Sequence, residues 1–290
     1  MQMIQDKDIY RAIQAMGNQA TLDVLSASRT LFLHEQIGFV SSFPPVAVDL
    51  AYGSHKRQVL DIYLPQELNQ IGARKVLLWV HGGGFVRGAK SDYQHPFDAH
   101  IGRFAARYGM IGVTMNYRLA PDFVWPSGGE DVGSAIAWLI DHISEYGGDP
   151  GAIYVMGTSA GACHISSFLR FHPHENGIKA ALLLSGLYGY TKLDERDMPY
   201  YKGVEIAYAE THPLTAALAA QTPIFIACAE FDPPRFQQET LALLNDVFIH
   251  RGLVDAATIA SGHNHYSLSL HIGGADNRLT AEILSFINNH

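Results

Sequence analysis

The chain has 290 residues, of which 48% are hydrophobic and 17% charged, with a formal net charge of −8. That composition belongs to a globular chain able to bury one large α/β core and excludes a disordered one. An acidic balance without a run of Lys or Arg argues against nucleic acid or an anionic membrane as partner. No apolar run nears the ~20 residues of a membrane span. Asp6, Lys7 and Asp8 stand where a signal peptide needs a basic start and an unbroken apolar stretch. The two cysteines, Cys163 and Cys228, read as buried free thiols, and a reducing cytoplasm is the expected location.

Residues 1–43 read as helical. Ile9, Ala12, Ile13 and Met16 recur at helical spacing, Gly17-Asn18 interrupts, and Leu22, Leu25, Leu31 and Phe32 resume an apolar face before Pro44-Pro45. This segment is expected to be a packing arm or a small cap, with residues 44–290 forming one catalytic domain. Val46–Ala51 and Gln58–Leu64 are strand-like around the turn-prone Gly53-Ser54, so an antiparallel pair is expected. The rhythm then changes to short apolar runs at 76–80, 111–115, 153–156, 180–184, 224–229 and 256–259, separated by helix-length segments. Such alternation predicts an α/β fold: a mostly parallel sheet with helices on both faces and chemistry at the carboxyl ends of its strands. One stretch breaks the rhythm. Leu187–Ala219 is too long for one crossover and holds Tyr188, Tyr190, Tyr200, Tyr201 and Tyr208, which reads as a lid-like insertion.

Chemistry concentrates at Gly157-Thr158-Ser159-Ala160-Gly161, between an apolar strand and a helix-competent segment. A serine on so sharp a strand-to-helix turn sits under strain, and small neighbours at Gly157 and Gly161 let the two elements close up. Ser159 is the expected nucleophile. After the strand at 76–80 comes His81-Gly82-Gly83-Gly84-Phe85, a turn of exposed backbone. Acyl transfer needs fixed donors where negative charge develops, and Gly83, Gly84 and Ala160 N–H are assigned to that oxyanion hole.

With these motifs, Asn116-Tyr117-Arg118-Leu119-Ala120-Pro121 and Gly148-Asp149-Pro150 complete a pattern that resembles the α/β-hydrolase fold, and within it the hormone-sensitive-lipase-like esterases. The resemblance covers roughly residues 46–290 and implies the order Ser, acid, His. Glu230-Phe231-Asp232-Pro233 resembles the acid loop, making Asp232 the acid, with Glu230 as fallback and a helix cap as the bland alternative for Asp232. Ser261-Gly262-His263-Asn264-His265 makes His265 the base and turns His263 toward substrate or solvent. No metal and no cofactor are expected; His263 and His265 alone are weak ligand evidence, and His172 and His174 read as surface residues. Cys163, one turn after Ser159, is expected to pack its helix against the sheet, and His164 beside it is read with the same caution. Tyr266-Ser267 and Phe236 depart from the family pattern at the pocket rim, and Tyr266-Ser267 drifts toward kynurenine-formamidase-like esterases.

The resemblance implies a serine carboxylesterase acting on short- to medium-chain acyl or aryl esters, in a family where homodimers are common. An arylformamidase with the same triad is the alternative. A non-catalytic ligand-binding receptor on the same fold is the third reading.

Overall fold

The computed structural model describes residues 6–66, 72–174, 177–203 and 222–290. Eight strands form one sheet: β1 (Pro45–Ala51), β2 (Val59–Tyr63), β3 (Arg74–Val80), β4 (Ile111–Met115), β5 (Gly148–Thr158), β6 (Ala180–Leu184), β7 (Ile224–Phe231) and β8 (Ala256–Asn264). Their spatial order is β1-β2-β4-β3-β5-β6-β7-β8. β1 and β2 pair antiparallel, β2 runs antiparallel to β4, and every later pairing is parallel.

The alternation of side chains along β3 explains the layering. Val76, Leu78 and Val80 face the core under α4 (Ser127–His142), α5 (Ala160–Phe171) and α7 (Pro234–Arg251). Leu77 and Trp79 face the opposite core, closed by α3 (Ala99–Arg107) and the last helix, α9 (Arg278–Asn289). Two short helices, α6 (Met198–Tyr201) and α8 (Ser267–Leu270), lie in the loops. Both sheet faces are thus covered, as buried parallel strands require. No helix among the described residues is long and apolar enough to cross a membrane.

The N-terminal segment forms α1 (Lys7–Met16) and α2 (Leu22–Ile37). Asp6 and Thr21 cap them, each side chain accepting a backbone N–H of the first turn. Ile13 and Phe32 pack with Phe97 and Leu270. Polar side chains pin the arm as well. Gln36 is buried and its Nε2 donates to the Leu270 and Ile272 carbonyls, each at 3.0 Å. Ser28, also buried, lies 3.0 Å from Asn264 Nδ2, one residue before His265. These polar contacts follow no apolar period, which is why periodicity did not find them.

Of the stretch read as a lid, 204–219, with Tyr208, lies outside the described residues. The described tyrosines brace the core and do not line the cavity described below. Tyr188 is fully buried in the main core, Tyr190 donates to Asp246 at 2.7 Å, and Tyr200 and Tyr201 pack on Phe85. Among the described residues of this stretch, Leu187, Arg196 and Asp197 line the cavity wall. The loop is anchored by Glu239 on α7, whose buried carboxylate accepts Tyr188 N–H at 2.6 Å, Thr191 N–H at 2.7 Å and Tyr190 N–H at 3.2 Å.

Candidate active site

Ser159 stands between β5 and α5 with φ 53° and ψ −120°, a strained conformation for a residue with a side chain. The glycines around it are demanded by contact. A Cβ on Gly161 would sit 2.1 Å from the Val80 carbonyl oxygen, and one on Gly157 would meet Gly161 and Ile165 at 2.8 Å. Any larger residue would push the helix off the sheet and lower the serine away from the cavity.

His265 Nε2 lies 3.0 Å from Ser159 Oγ, and its Nδ1 lies 2.7 Å from Asp232 Oδ1. The second oxygen of Asp232 accepts from Ser185 Oγ at 2.5 Å and from Ala229 N–H at 2.7 Å. Asp232 is therefore no helix cap; Pro233 takes that position before α7. Glu230 does not bond the histidine. It accepts Gly262 N–H at 2.7 Å and Ser261 Oγ at 2.8 Å, and although burial opposes it, these bonds hold its carboxyl below the ordinary range. Phe236 packs its ring 4.2 Å from the His265 ring.

The glycine loop lies over the serine: a Cβ on Gly82 would stand 3.5 Å from Ser159 Cβ. Gly83 has φ 133° and Gly84 φ 59°, backbone that favours glycine. The N–H groups of Gly83, Gly84 and Ala160 make no hydrogen bond with any described residue. Ala160 is the first residue of α5, so its N–H has no partner within the helix. His81 is buried; its Nδ1–H donates to the Gly82 carbonyl at 2.6 Å, its ring stacks on Tyr117, and burial pushes its pKa down to about 3. Arg57 ties this loop to the Asn116–Pro121 motif, donating to the Tyr117 carbonyl at 2.7 Å and the Gly88 carbonyl at 2.9 Å. Arg118 in turn bonds the buried Asp131 at 2.8 Å. The second motif is thus a buckle under the first.

Two expectations are corrected. Cys163 does not pack against the sheet. It sits among Phe85, Leu187, Tyr200 and Tyr201, donates to the Ser159 carbonyl and accepts Leu187 N–H at 3.1 Å, joining the elbow to the loop after β6. His263 faces neither substrate nor solvent. It is buried, stacks on His271 at 3.6 Å, and bonds Ser267 at 3.1 Å and Asp276 at 3.2 Å. Ser267 Oγ also accepts Asn264 N–H at 2.8 Å, so this cluster carries the His265 loop from behind. Ser185, Glu239 and Arg57 went unnoticed in the sequence. Only Ser185 left a signal, standing just after an apolar strand and before Gly186.

A cavity of about 750 Å³ opens above Ser159. The glycine loop, Phe236 and Tyr266 wall it beside the serine, and Leu22, Leu25 and Arg29 of α2 form another side. Among the described residues, no three His, Cys, Asp or Glu side chains form a group able to hold a metal ion.

Several known proteins similar to this chain carry esterase or ester-hydrolase names. The BD-FAE family model matches residues 60–185. The probable carboxylic ester hydrolase LipM of Mycobacterium tuberculosis is 36% identical over 52% of this chain and 37% of its own length. The probable isoprenylcysteine alpha-carbonyl methylesterase ICMEL1 of Arabidopsis thaliana is 35% identical over 46% of this chain and 26% of its own length. Esterase LipQ of Mycobacterium tuberculosis is 26% identical over 82% of this chain and 60% of its own length. The chain therefore spans about a quarter to three fifths of these relatives. Among solved structures, an esterase of the archaeon Pyrobaculum calidifontis superposes with a TM-score of 0.69 at 22% identity, covering 99% of both chains, which speaks for the fold. The chain has the α/β-hydrolase fold, and the relatives it matches in part carry esterase or ester-hydrolase names.

Proposed function

We propose that the chain is a serine carboxylesterase for short- to medium-chain acyl or aryl esters. The observation that carries this is His265, bridging Ser159 Oγ at 3.0 Å and Asp232 at 2.7 Å. His265 takes the hydroxyl proton as Ser159 attacks the ester carbonyl, and Asp232 steadies the imidazolium. Negative charge on the carbonyl oxygen is received by Gly83, Gly84 and Ala160 N–H, each such donor being worth about 3 kcal/mol in the transition state. His265 then protonates the departing alcohol, and water repeats the sequence on the acyl-enzyme.

The cavity of about 750 Å³ suits a small or medium ester. We assign residues 1–43 to an arm that caps this cavity, since α2 supplies Leu22 and Leu25 to its wall. The esterase names of the relatives favour an ester over a formyl amide. Initial rates on 4-nitrophenyl esters from acetyl to dodecanoyl, beside N-formylkynurenine and with Ser159→Ala as blank, test the reading. A maximum at short to medium chains that vanishes in the blank supports it. A preference for the formyl amide replaces it with the formamidase.

A further inference from the structure

Tyr266 directly follows the base, and its ring forms part of the cavity wall. Its hydroxyl makes no hydrogen bond with any described residue. Burial raises the phenol's pKa, while Arg87, Arg196 and Arg29 each act to lower it. Three guanidinium groups from three segments, the glycine loop, the loop after β6 and α2, share the cavity wall with this ring.

The charges facing them are mostly committed elsewhere. Asp197 bonds Arg235 at 2.6 Å, and Asp92 lies 3.6 Å from His95. Asp98 accepts from the Trp79 indole at 3.1 Å, and burial pushes its carboxyl up to about 6. Arg196 is held by Asp194 at 3.0 Å. Arg29 and Arg87 make no ion pair with any described residue, and Arg29 Nε–H is buried without an acceptor. The cavity wall carries four arginines against three aspartates in a chain of net charge −8. Arg29 is half-buried and Arg87 exposed; leaving the Arg29 guanidinium without an acceptor is costly, and a planar carboxylate is the acceptor its fork fits best.

We infer that Arg29, Arg87 and Tyr266 form a subsite for a carboxylate carried by the ester substrate. This rests on the esterase reading above and narrows it: the preferred esters are monoanions. Arg29 and Arg87 each supply a charge-assisted N–H and Tyr266 donates its O–H, contacts that a neutral ester of the same shape leaves empty. The Tyr266 that departs from the family pattern then has a task in recognition.

The test compares mono(4-nitrophenyl) adipate with its methyl ester, and 4-acetoxybenzoate with its methyl ester, so that the carboxylate lies on the acyl side in one pair and on the alcohol side in the other. In one pair the charged member should show a KM about tenfold lower than its methyl ester. That advantage should shrink in about 0.5 M salt. The ratio of kcat/KM between charged and neutral members should fall about tenfold in Arg29→Gln and in Arg87→Gln, and a few-fold in Tyr266→Phe. A ratio within one protein cancels any loss of folded enzyme. Hydrolysis of the methyl esters without preference for a carboxylate, or a preference that survives both arginine variants, overturns the subsite alone. Hydrolysis of none of the four overturns the esterase reading and the subsite with it.

Discussion

Ser185 Oγ meets Asp232 Oδ2 at 2.5 Å, on the carboxylate oxygen that His265 does not use. With Ala229 N–H on the same oxygen, the carboxylate is held from behind and its other oxygen is aimed at the imidazole. Ser185→Ala removes one of these two holds. It should lower kcat about tenfold with KM nearly unchanged, since only orientation is lost. Asp232→Asn should cost about 10⁴-fold, because the histidine then loses its correct tautomer. Steady-state rates on one 4-nitrophenyl ester decide both, and equal losses in the two variants would show that Ser185 is not a positioning residue.

The arm holds onto the body through Phe32, a fully buried ring at the meeting of α2, Phe97 and Leu270. Phe32→Ala should destabilise the protein by about 3–5 kcal/mol, the usual cost of deleting a core aromatic. Urea melts measure this. Loss of under 1 kcal/mol would mean that the arm docks independently of that ring.

Acid should unfold this protein early. Burial drives His81 and His164 down to about 3 and His100 down to about 4, and His271 also lies well below its ordinary value. These groups stay neutral when folded but bind protons when unfolded. The stability they contribute is present above the unfolded value of 6.5 and is lost as pH falls toward the folded values. Each adds a slope of up to about 1.4 kcal/mol per pH unit over that window. Asp98, raised to about 6 by burial, works in the opposite sense between its unfolded value of 3.8 and that point, and is outnumbered. Melting temperature should therefore drop steadily from pH 6.5 to 4.5; a flat profile would show that these rings are protonated in the fold.

Thiol reagents should leave the activity intact. Cys163 is buried with its thiol raised by burial, and Cys228, also buried, is pushed up to about 11. Neither holds useful thiolate at neutral pH. Iodoacetamide should label both in urea and neither in the native protein, with full esterase rate retained. Rapid loss of activity in native conditions would make Cys163 an exposed switch.

Much of the fold was legible because strands and helices write it in apolar runs and spacing. The elbow was legible because crowding leaves glycine as the residue that fits at 157 and 161; Asp232 was reached only through the resemblance of Glu230-Phe231-Asp232-Pro233 to an acid loop, since by strand position Glu230 stood closer. What stayed hidden travels through side chains that obey no period. Gln36 and Ser28 are polar residues on an otherwise ordinary helix, and their partners lie 234 and 236 positions away. Glu239 reads in sequence as one more helix carboxylate, yet it fastens a loop. Cys163 was misjudged because a buried cysteine was taken to pack its helix against the sheet, while the helix turns that position toward Leu187.

The clasp between Ser28 and Asn264 also sets an order in time. The arm leaves the ribosome long before the segment that receives it, since 236 positions separate the two. Until β8 and α8 have been made, Phe32 lacks Leu270 and the site that buries it is incomplete. The same late segment brings His265. In the proposed mechanism, closing the arm and arming the serine therefore wait on the same late segment, and a chain cut short before it would keep its elbow and lack the proposed base.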